Sequence, residues 1–353
     1  MSVLQNLSLD NNIITREDAK VKWTEKKHKN LTIANKFLRL SQLIEDGAEK
    51  YLTKGEDGKA YLERVRADEY KKRGYRMKNC SRFITVSVCP DCHRSVASSA
   101  TLCRDRVCPT CAWRLSAQQS AEMLQTLSYI SDIEDYTAVF LTLTVQNCAC
   151  DQLAPTLEMM SSAWNRLLSR KKNRELIKGT ARSVEISYNK TAHTFHPHYH
   201  IIMLLEPDNR TIGELNAYFN KEWQTATRVL YQPITDLRKI ENRDILEYDK
   251  PTAELYKKAI LETFKYTIKD DDLAEMPLGN FRFYVDGVQG KRLTAYTGIF
   301  KEARAQLDFS EELDDESATR KCPDCNEQML QAVYQWSFSK NTYQRFIESV
   351  TKN

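Results

Sequence analysis

Long apolar runs are missing from this sequence. Nothing approaches the roughly 18 consecutive apolar residues that would span a bilayer, and the longest runs, around Tyr136–Val145 and Ile201–Leu205, are strand-sized. The opening residues, MSVLQNLSLDNN, have neither a basic start nor an apolar stretch, so no secretory signal is read there. The expected location is the cytoplasm, with no membrane among the partners. A dominant charge is absent too: 52 Lys+Arg against 48 Asp+Glu leave +4, too little by itself to mark a nucleic-acid binder. No internal repeat is visible. At 353 residues and 41% hydrophobic content the chain can build one large domain with attachments, or two modest ones.

Charge is distributed more tellingly than its sum suggests. Lys71, Lys72, Arg73, Arg76, Lys78 and Arg82 form a basic run, continued by Arg94, Arg104, Arg106 and Arg114, whereas Asp308, Glu311, Glu312, Asp314, Asp315 and Glu316 gather late. A basic half suits contact with phosphates, which supply most non-specific DNA affinity. The Lys71–Lys78 run taken alone reads equally well as a solvated helix face. Ten cysteines without a secretion signal point to metal binding rather than disulfides.

Pattern and composition divide the chain into four parts: residues 1–75, charged and helical with a turn at KGEDGK; 76–120, holding six cysteines; 121–305; and 306–353, an acidic linker with a small cysteine-containing tail. Within the third part, Tyr136–Val145 predicts a buried central strand and Asp151–Lys178 a helix. Arg182–Tyr188 and Phe195–Leu205 predict a β-hairpin, and Thr211–Val229 and Thr252–Ile268 predict helices.

Histidine is scarce, yet four of the six lie within His193–His200. On a strand, His196, His198 and His200 share one face while Pro197, Tyr199 and Ile201 take the other. Imidazoles two residues apart can grip one metal ion; a surface strand that happens to carry histidines is the plainer alternative. A hairpin centred between Thr191 and Ala192 sets Glu185 opposite His198 on the same face, although a one-residue slip would turn it away. Two imidazoles and a carboxylate suit Mn²⁺ or Mg²⁺, able to polarise a phosphoryl oxygen. An amidohydrolase-type site would need further histidines downstream, and none follows His200.

If Thr252–Ile268 is one helix, Glu262, Tyr266 and Lys269 line one face, Lys265 flanks it, and Tyr256, Ile260 and Phe264 form a core stripe. A tyrosine can attack a phosphodiester, hold the 5′ end and leave a 3′-OH. With an ordinary pKa near 10 it needs activation, from a metal-organised site or Lys269, and Glu262 can activate a water for a second cleavage. The chain has 17 tyrosines, and a mid-helix tyrosine is usually structural.

Cys89-x2-Cys92 and Cys108-x2-Cys111, with 15 residues between them, have the spacing of one tetrahedral Zn²⁺. Cys148 and Cys150, one residue apart, read as ordinary thiols.

Three ordered motifs resemble the Rep initiators of rolling-circle plasmids in the HUH endonuclease superfamily. Phe140–Asn147 (FLTLTVQN) resembles their first motif, and His196–His200 (HPHYH) the second, with the metal pair on His198 and His200. Glu262–Lys269 (ETFKYTIK) resembles the third, in which the tyrosine is the nucleophile and the glutamate serves termination. Cys103–Arg114 (CRDRVCPTCAWR) resembles the cysteine motif preceding the catalytic domain. On that pattern Cys103, Cys108 and Cys111 would borrow an upstream ligand such as Cys80, freeing Cys89 and Cys92 to join Cys322-x2-Cys325 at a second zinc. Together the matches cover roughly residues 80–270.

The resemblance implies an α+β fold: an HUH-type central antiparallel sheet with packed helices, preceded by a zinc-binding module and a helical N-terminal region. It implies nicking of plasmid origin DNA, with host helicase and polymerase as partners, and Lys265, Lys269, His196, Arg104 and Arg106 are the candidate DNA contacts. Rivals from other classes are an HUH transposase or relaxase, and a non-catalytic zinc-dependent DNA-binding regulator. The spacing of Glu262 to Tyr266 and the upstream cysteines favour the initiator.

Overall fold

The structure, a computed structural model, describes residues 16–92, 94–130, 135–240, 252–307, 309, 321, 322 and 324–346. Apart from Phe309, the acidic stretch Asp308–Glu316 lies outside the described residues. In chain order the elements begin with α1 (Arg16–Leu52), α2 (Asp57–Asn79), β1 (Phe83–Val88), β2 (Ser95–Ala100) and α3 (Pro109–Tyr129). There follow β3 (Thr137–Thr144), β4 (Cys148–Ala149), α4 (Leu153–Ser169), α5 (Lys171–Leu176), β5 (Ile177–Asn189) and β6 (Thr194–Leu205). Next are α6 (Ile212–Thr227), β7 (Thr235–Lys239), α7 (Thr252–Thr263), α8 (Asp270–Glu275), α9 (Leu278–Val288), β8 (Thr294–Gly298) and α10 (Ile299–Gln306). The last are β9 (Leu330–Ser337) and β10 (Thr342–Arg345). This is an α+β protein with antiparallel sheets, and two compact units emerge: residues up to Arg114 with those from Ser310 onward, and Leu115–Phe309. Among the described residues no helix is long and apolar enough to cross a membrane.

In the first unit α1 and α2 form a helical hairpin. Ile33, Ala34, Phe37, Leu40, Ile44 and Ala48 recur at helical spacing on α1 and are buried with Ala60, Ala67, Tyr70 and Met77 of α2. Gly74 lets the helices close up: a Cβ there would stand 2.9 Å from Leu38 and 3.1 Å from the Ala34 carbonyl oxygen. The same unit holds a four-stranded sheet in the order β10-β9-β1-β2, so strands from both ends of the chain pair with each other.

The second unit is built on a six-stranded sheet, β7-β3-β6-β5-β8, with β4 beside the start of β6. The run from Tyr199 to Leu205 is buried on both faces, as a central strand must be, and β-branched and aromatic residues fill β3. Tyr199 faces Trp164 of α4 and Trp223 of α6, with ring centroids 6.3 and 5.9 Å away, so those helices cover the sheet opposite the histidines. The β5–β6 turn is closed by Asn189, whose Oδ1 accepts the Thr191 and Ala192 N–H groups at 3.0 and 2.9 Å. Gly298, with φ 54°, ends β8 where a Cβ would lie 1.9 Å from the Lys178 carbonyl oxygen, so no other residue fits.

Two elements depart from the sequence expectation. The helix expected over Asp151–Lys178 breaks at Arg170, whose backbone is extended (ψ 136°), and strand β5 already begins at Ile177. The break is held by tertiary partners that helical periodicity does not register. Arg170 Nη1 donates to Glu222 Oε2 at 2.6 Å, and buried Asn173 donates to the Leu167 carbonyl at 2.8 Å. The helix expected over Thr252–Ile268 ends at Thr263, which reshapes the site described next.

Candidate active site

Strand alternation and hairpin register assemble the central cluster. Across β6, Glu185 of β5 stands opposite His198, and Thr142 and Thr144 of β3 stand opposite His200 and His198. Glu185 Oε2 lies 2.8 Å from His198 Nε2 and 2.7 Å from His200 Nε2, and the three side chains bring their ligand atoms within 4.8 Å of one another. The cluster is largely dry: Glu185 is 8% exposed and His200 6%. Burial alone would raise the Glu185 carboxyl, but hydrogen bonds from His198, His200 and Lys265 outweigh it and hold the group well below the usual carboxylate range.

His196 lies on the same face but outside this group, its ring centroid 5.5 Å from that of His198. Burial, reinforced by the neighbouring His198, lowers its pKa. Two residues that pattern reasoning did not single out complete the surroundings. Thr142 Oγ1 is 3.3 Å from His200 Nδ1, which leaves Nε2 as the nitrogen directed at Glu185, and Phe140 stacks on the His200 ring at 5.5 Å. The available signal was the alternation Phe140, Thr142, Thr144, which puts these three residues on one face of β3.

The tyrosine is not on a helix. After Thr263 the backbone turns out of α7, and Lys265–Lys269 is irregular up to the start of α8. The cause lies at the edge of the sheet. Strand β8 pairs with β5 only as far as Ser183, after which Val184 N–H donates to Leu293 O. Ile186 N–H then finds its acceptor in Thr267 O, at 2.6 Å. Phe264 and Ile268, at 1% and 5% exposure, anchor this segment on both sides of Tyr266. One sheet-edge hydrogen bond and two buried side chains outweigh the weak helix preference of a stretch rich in β-branched residues.

Consequently Glu262, Tyr266 and Lys269 do not share a helical face. Instead the turn carries Glu262 and Lys265 to the histidines: Lys265 Nζ is 2.7 Å from Glu185 Oε2 and 2.5 Å from Glu262 Oε1, and Glu262 Oε1 is 3.8 Å from His200 Nε2. Burial works against the Lys265 ammonium, but the two carboxylates prevail and raise its pKa. Tyr266 follows directly and is half-buried, whereas Lys269 is exposed where α8 begins. Tyr256, Ile260 and Phe264 are buried as a core stripe.

The cysteines of the first unit sort into two quartets. Cys80, Cys103, Cys108 and Cys111 converge, with Cys111 Sγ 3.6 Å from both Cys80 and Cys103 and Cys108 Sγ 3.5 Å from Cys80. Burial pushes the Cys108 thiol up, while hydrogen bonds from Cys103, Cys108 and Cys80 hold Cys111 far down. Lys27 lies close by, its Nζ donating to the carbonyls of Lys78 and Cys80, and Asn30 Oδ1 is 3.2 Å from Cys108 Sγ. Nothing in the sequence spacing, some fifty to eighty residues away, could have pointed to these two.

Cys89, Cys92, Cys322 and Cys325 form the second quartet. The single-ion pairing of Cys89-x2-Cys92 with Cys108-x2-Cys111 is therefore not what the chain builds. The β1–β2 hairpin holds the first pair at a sheet end, and the start of α3 turns the second toward Cys80 at the end of α2. Cys150 Sγ is 3.0 Å from the His193 carbonyl oxygen, and neither it nor Cys148 joins a metal-capable group among the described residues. Between Cys103 and Cys108, Asp105 turns inward to a bidentate pair with Arg73, at 2.8 and 3.1 Å, leaving Arg104 and Arg106 exposed.

Fold and site together define an α+β protein whose side chains build, among the described residues, three metal-capable clusters, one of them on the central strand of an antiparallel sheet. The chain belongs to the replication protein family, the Rep initiators of rolling-circle plasmids, whose family model matches residues 94–344. It is 30% identical over 267 residues to a Rep protein of Streptococcus pneumoniae serotype 2 (strain D39 / NCTC 7466), covering 72% of this chain and 79% of that one. Similar relatives are the Rep proteins of Bacillus amyloliquefaciens, 29% identical with 71% and 78% covered, and of Lentilactobacillus hilgardii, 28% identical with 80% and 90% covered. No solved structure matches.

Proposed function

We propose that this replication initiator is a metal-dependent tyrosine nickase of the HUH type, acting on single-stranded or cruciform DNA at its plasmid's double-strand origin. The observation that carries this is the convergence of Glu185, His198 and His200 with Glu262 and Lys265, the last immediately preceding Tyr266. Three donors of suitable chemistry meet where an ammonium, that of Lys265, already contacts Glu185, so the cluster fits a cation. Mn²⁺ or Mg²⁺ held by His198, His200 and Glu185 would polarise a phosphoryl oxygen of the scissile linkage.

The chain's own residues do the rest. Tyr266 Oη attacks phosphorus, its proton passing to solvent, and the bond to the 3′ oxygen breaks. The 3′ oxygen takes up a proton as a 3′-OH primer, and the 5′ phosphate stays on the tyrosine. Lys265, held protonated, and Lys269, His196, Arg104 and Arg106 bind the DNA backbone. Host helicase and polymerase then unwind and extend, and water activated by Glu262 permits a second cleavage that ends the cycle. The quartet Cys80, Cys103, Cys108 and Cys111 fits a structural Zn²⁺. The direct test is incubation with labelled origin oligonucleotide and peptide mapping of the adduct. A phosphotyrosine at Tyr266 is expected, and an adduct elsewhere, or none, overturns the proposal.

Two consequences are measurable. Glu262→Ala nicks at close to the wild-type rate but accumulates unterminated product in a plasmid replication assay, and normal termination would remove Glu262 from the mechanism. Thr142→Val frees His200 Nδ1 and weakens Mn²⁺ binding by roughly tenfold, the usual effect of losing a partner behind a metal-bound histidine. Unchanged affinity in a calorimetric titration would show that Thr142 does not orient the ring.

A further inference from the structure

We infer that Cys89, Cys92, Cys322 and Cys325 bind one Zn²⁺ that clasps the C-terminal strands to the N-terminal hairpin, and that this site empties more readily than the other cysteine centre. The inference is independent of the nicking chemistry and uses different residues.

The placement follows from strand direction. Strand β9 runs antiparallel to β1 with Val88 opposite Leu330, so the residues just after β1 and just before β9 meet at one end of the sheet. Each side supplies a Cys-Pro-Asp-Cys turn there, although the two turns are far apart in sequence. Both are braced by backbone hydrogen bonds, Cys89 N–H to Arg94 O at 2.8 Å and Cys322 N–H to Glu327 O at 2.7 Å. Asn326, with φ 62° and its N–H on Cys322 O at 2.8 Å, closes the second turn. Arg94 of one turn pairs with Asp324 of the other.

The sulfurs have the spacing of a shared ion. Cys89 Sγ is 3.4 Å from Cys325, Cys92 is 3.3 Å from Cys322, and Cys325 is 3.8 Å from Cys92. Bonds of about 2.3 Å in a tetrahedral zinc–sulfur group set sulfurs about 3.8 Å apart, whereas a disulfide needs about 2.05 Å. All four thiols give their protons to solvent on binding, and four soft thiolates in a closed set select Zn²⁺ over hard cations.

Among the described residues few apolar side chains secure this end of the sheet. Its apolar cluster is Cys89, Cys322 and Met329, and on β9 Leu330 is 65% exposed. At the far end Trp336 and Tyr343 are buried, and Tyr343 Oη donates to Ser81 O at 2.6 Å. A core thus holds one end of β9 and the thiol quartet the other. Lability follows from access: Cys92 and Cys325 are exposed, whereas Cys80, Cys108 and Cys111 are buried.

The test uses the full-length untagged protein, with zinc counted by mass spectrometry and backbone hydrogen exchange followed by peptide. Cys322→Ser with Cys325→Ser, and Cys89→Ser with Cys92→Ser, should each lose one zinc relative to wild type, and all four together should lose no more than one. Exchange in residues 330–335 should speed up at least about tenfold while 336–345 stays protected, because local opening is governed by local contacts. Unchanged zinc content overturns the site, and zinc loss without faster exchange overturns the clasp. Should these variants fail to fold, wild-type protein is titrated with a chelator and a thiol label. Early labelling of Cys92 and Cys325 supports the inference, and early labelling of Cys103 and Cys108 overturns it.

Discussion

Under the proposed mechanism Tyr266→Phe is expected to abolish nicking of single-stranded origin oligonucleotide, by at least about a thousandfold, because it would remove the atom proposed to attack phosphorus. Binding of the same oligonucleotide should stay within roughly threefold, since phosphate contacts supply most of the affinity. The substitution keeps the ring, and Phe264 and Ile268 on either side keep the segment in place. Stability is therefore expected to change little, which thermal unfolding checks. Tyr256, the neighbour best placed in sequence to substitute, is 5% exposed in the core stripe and cannot present its oxygen to DNA. Full activity in Tyr266→Phe would mean that some other residue forms the covalent link.

His198→Ala should lose cleavage in Mn²⁺ on a similar scale, about a thousandfold, since on the proposed mechanism it removes a ligand of the cation that would polarise the phosphate. The variant also deprives buried Glu185 of one of its three partners, leaving His200 and Lys265. A modest loss of stability, of about 1–3 kcal/mol, is the ordinary cost of removing a partner from a buried charged group. Measurements at a temperature where circular dichroism shows the variant folded separate that effect from catalysis. Cleavage that survives in His198→Ala would discredit the metal centre, whatever becomes of Tyr266.

Some of this was open to inspection along the chain. Period-two alternation placed His196, His198 and His200 on one face, and a turn of four residues set the register that puts Glu185 across from His198. Both are local: alternation is a property of any strand, and a short loop leaves little choice of pairing. The helix α6 was visible for the same reason, since its periodicity is local, and in the structure a Thr211–Glu214 capping box closes its start.

Where periodicity met a distant partner, it misled. Residues Thr252–Ile268 look helical throughout, yet the helix stops at Thr263 because the uncovered edge of β5 takes Thr267 as a hydrogen-bond partner. That stop delivers Glu262 and Lys265 to the histidines. Cysteine spacing misled likewise: the nearest two Cys-x2-Cys pairs look like one site, but each joins a different quartet.

The sequence by itself determined which residues can do chemistry and which of them share a strand face, because those depend on bonds and turns a few residues long. Tertiary structure alone decided which sulfurs meet, where the tyrosine helix ends and what surrounds Glu185. Each of these depends on elements far apart in the chain coming together: β9 beside β1 for one quartet, the end of α2 beside the start of α3 for the other, and the edge of β5 for Thr267.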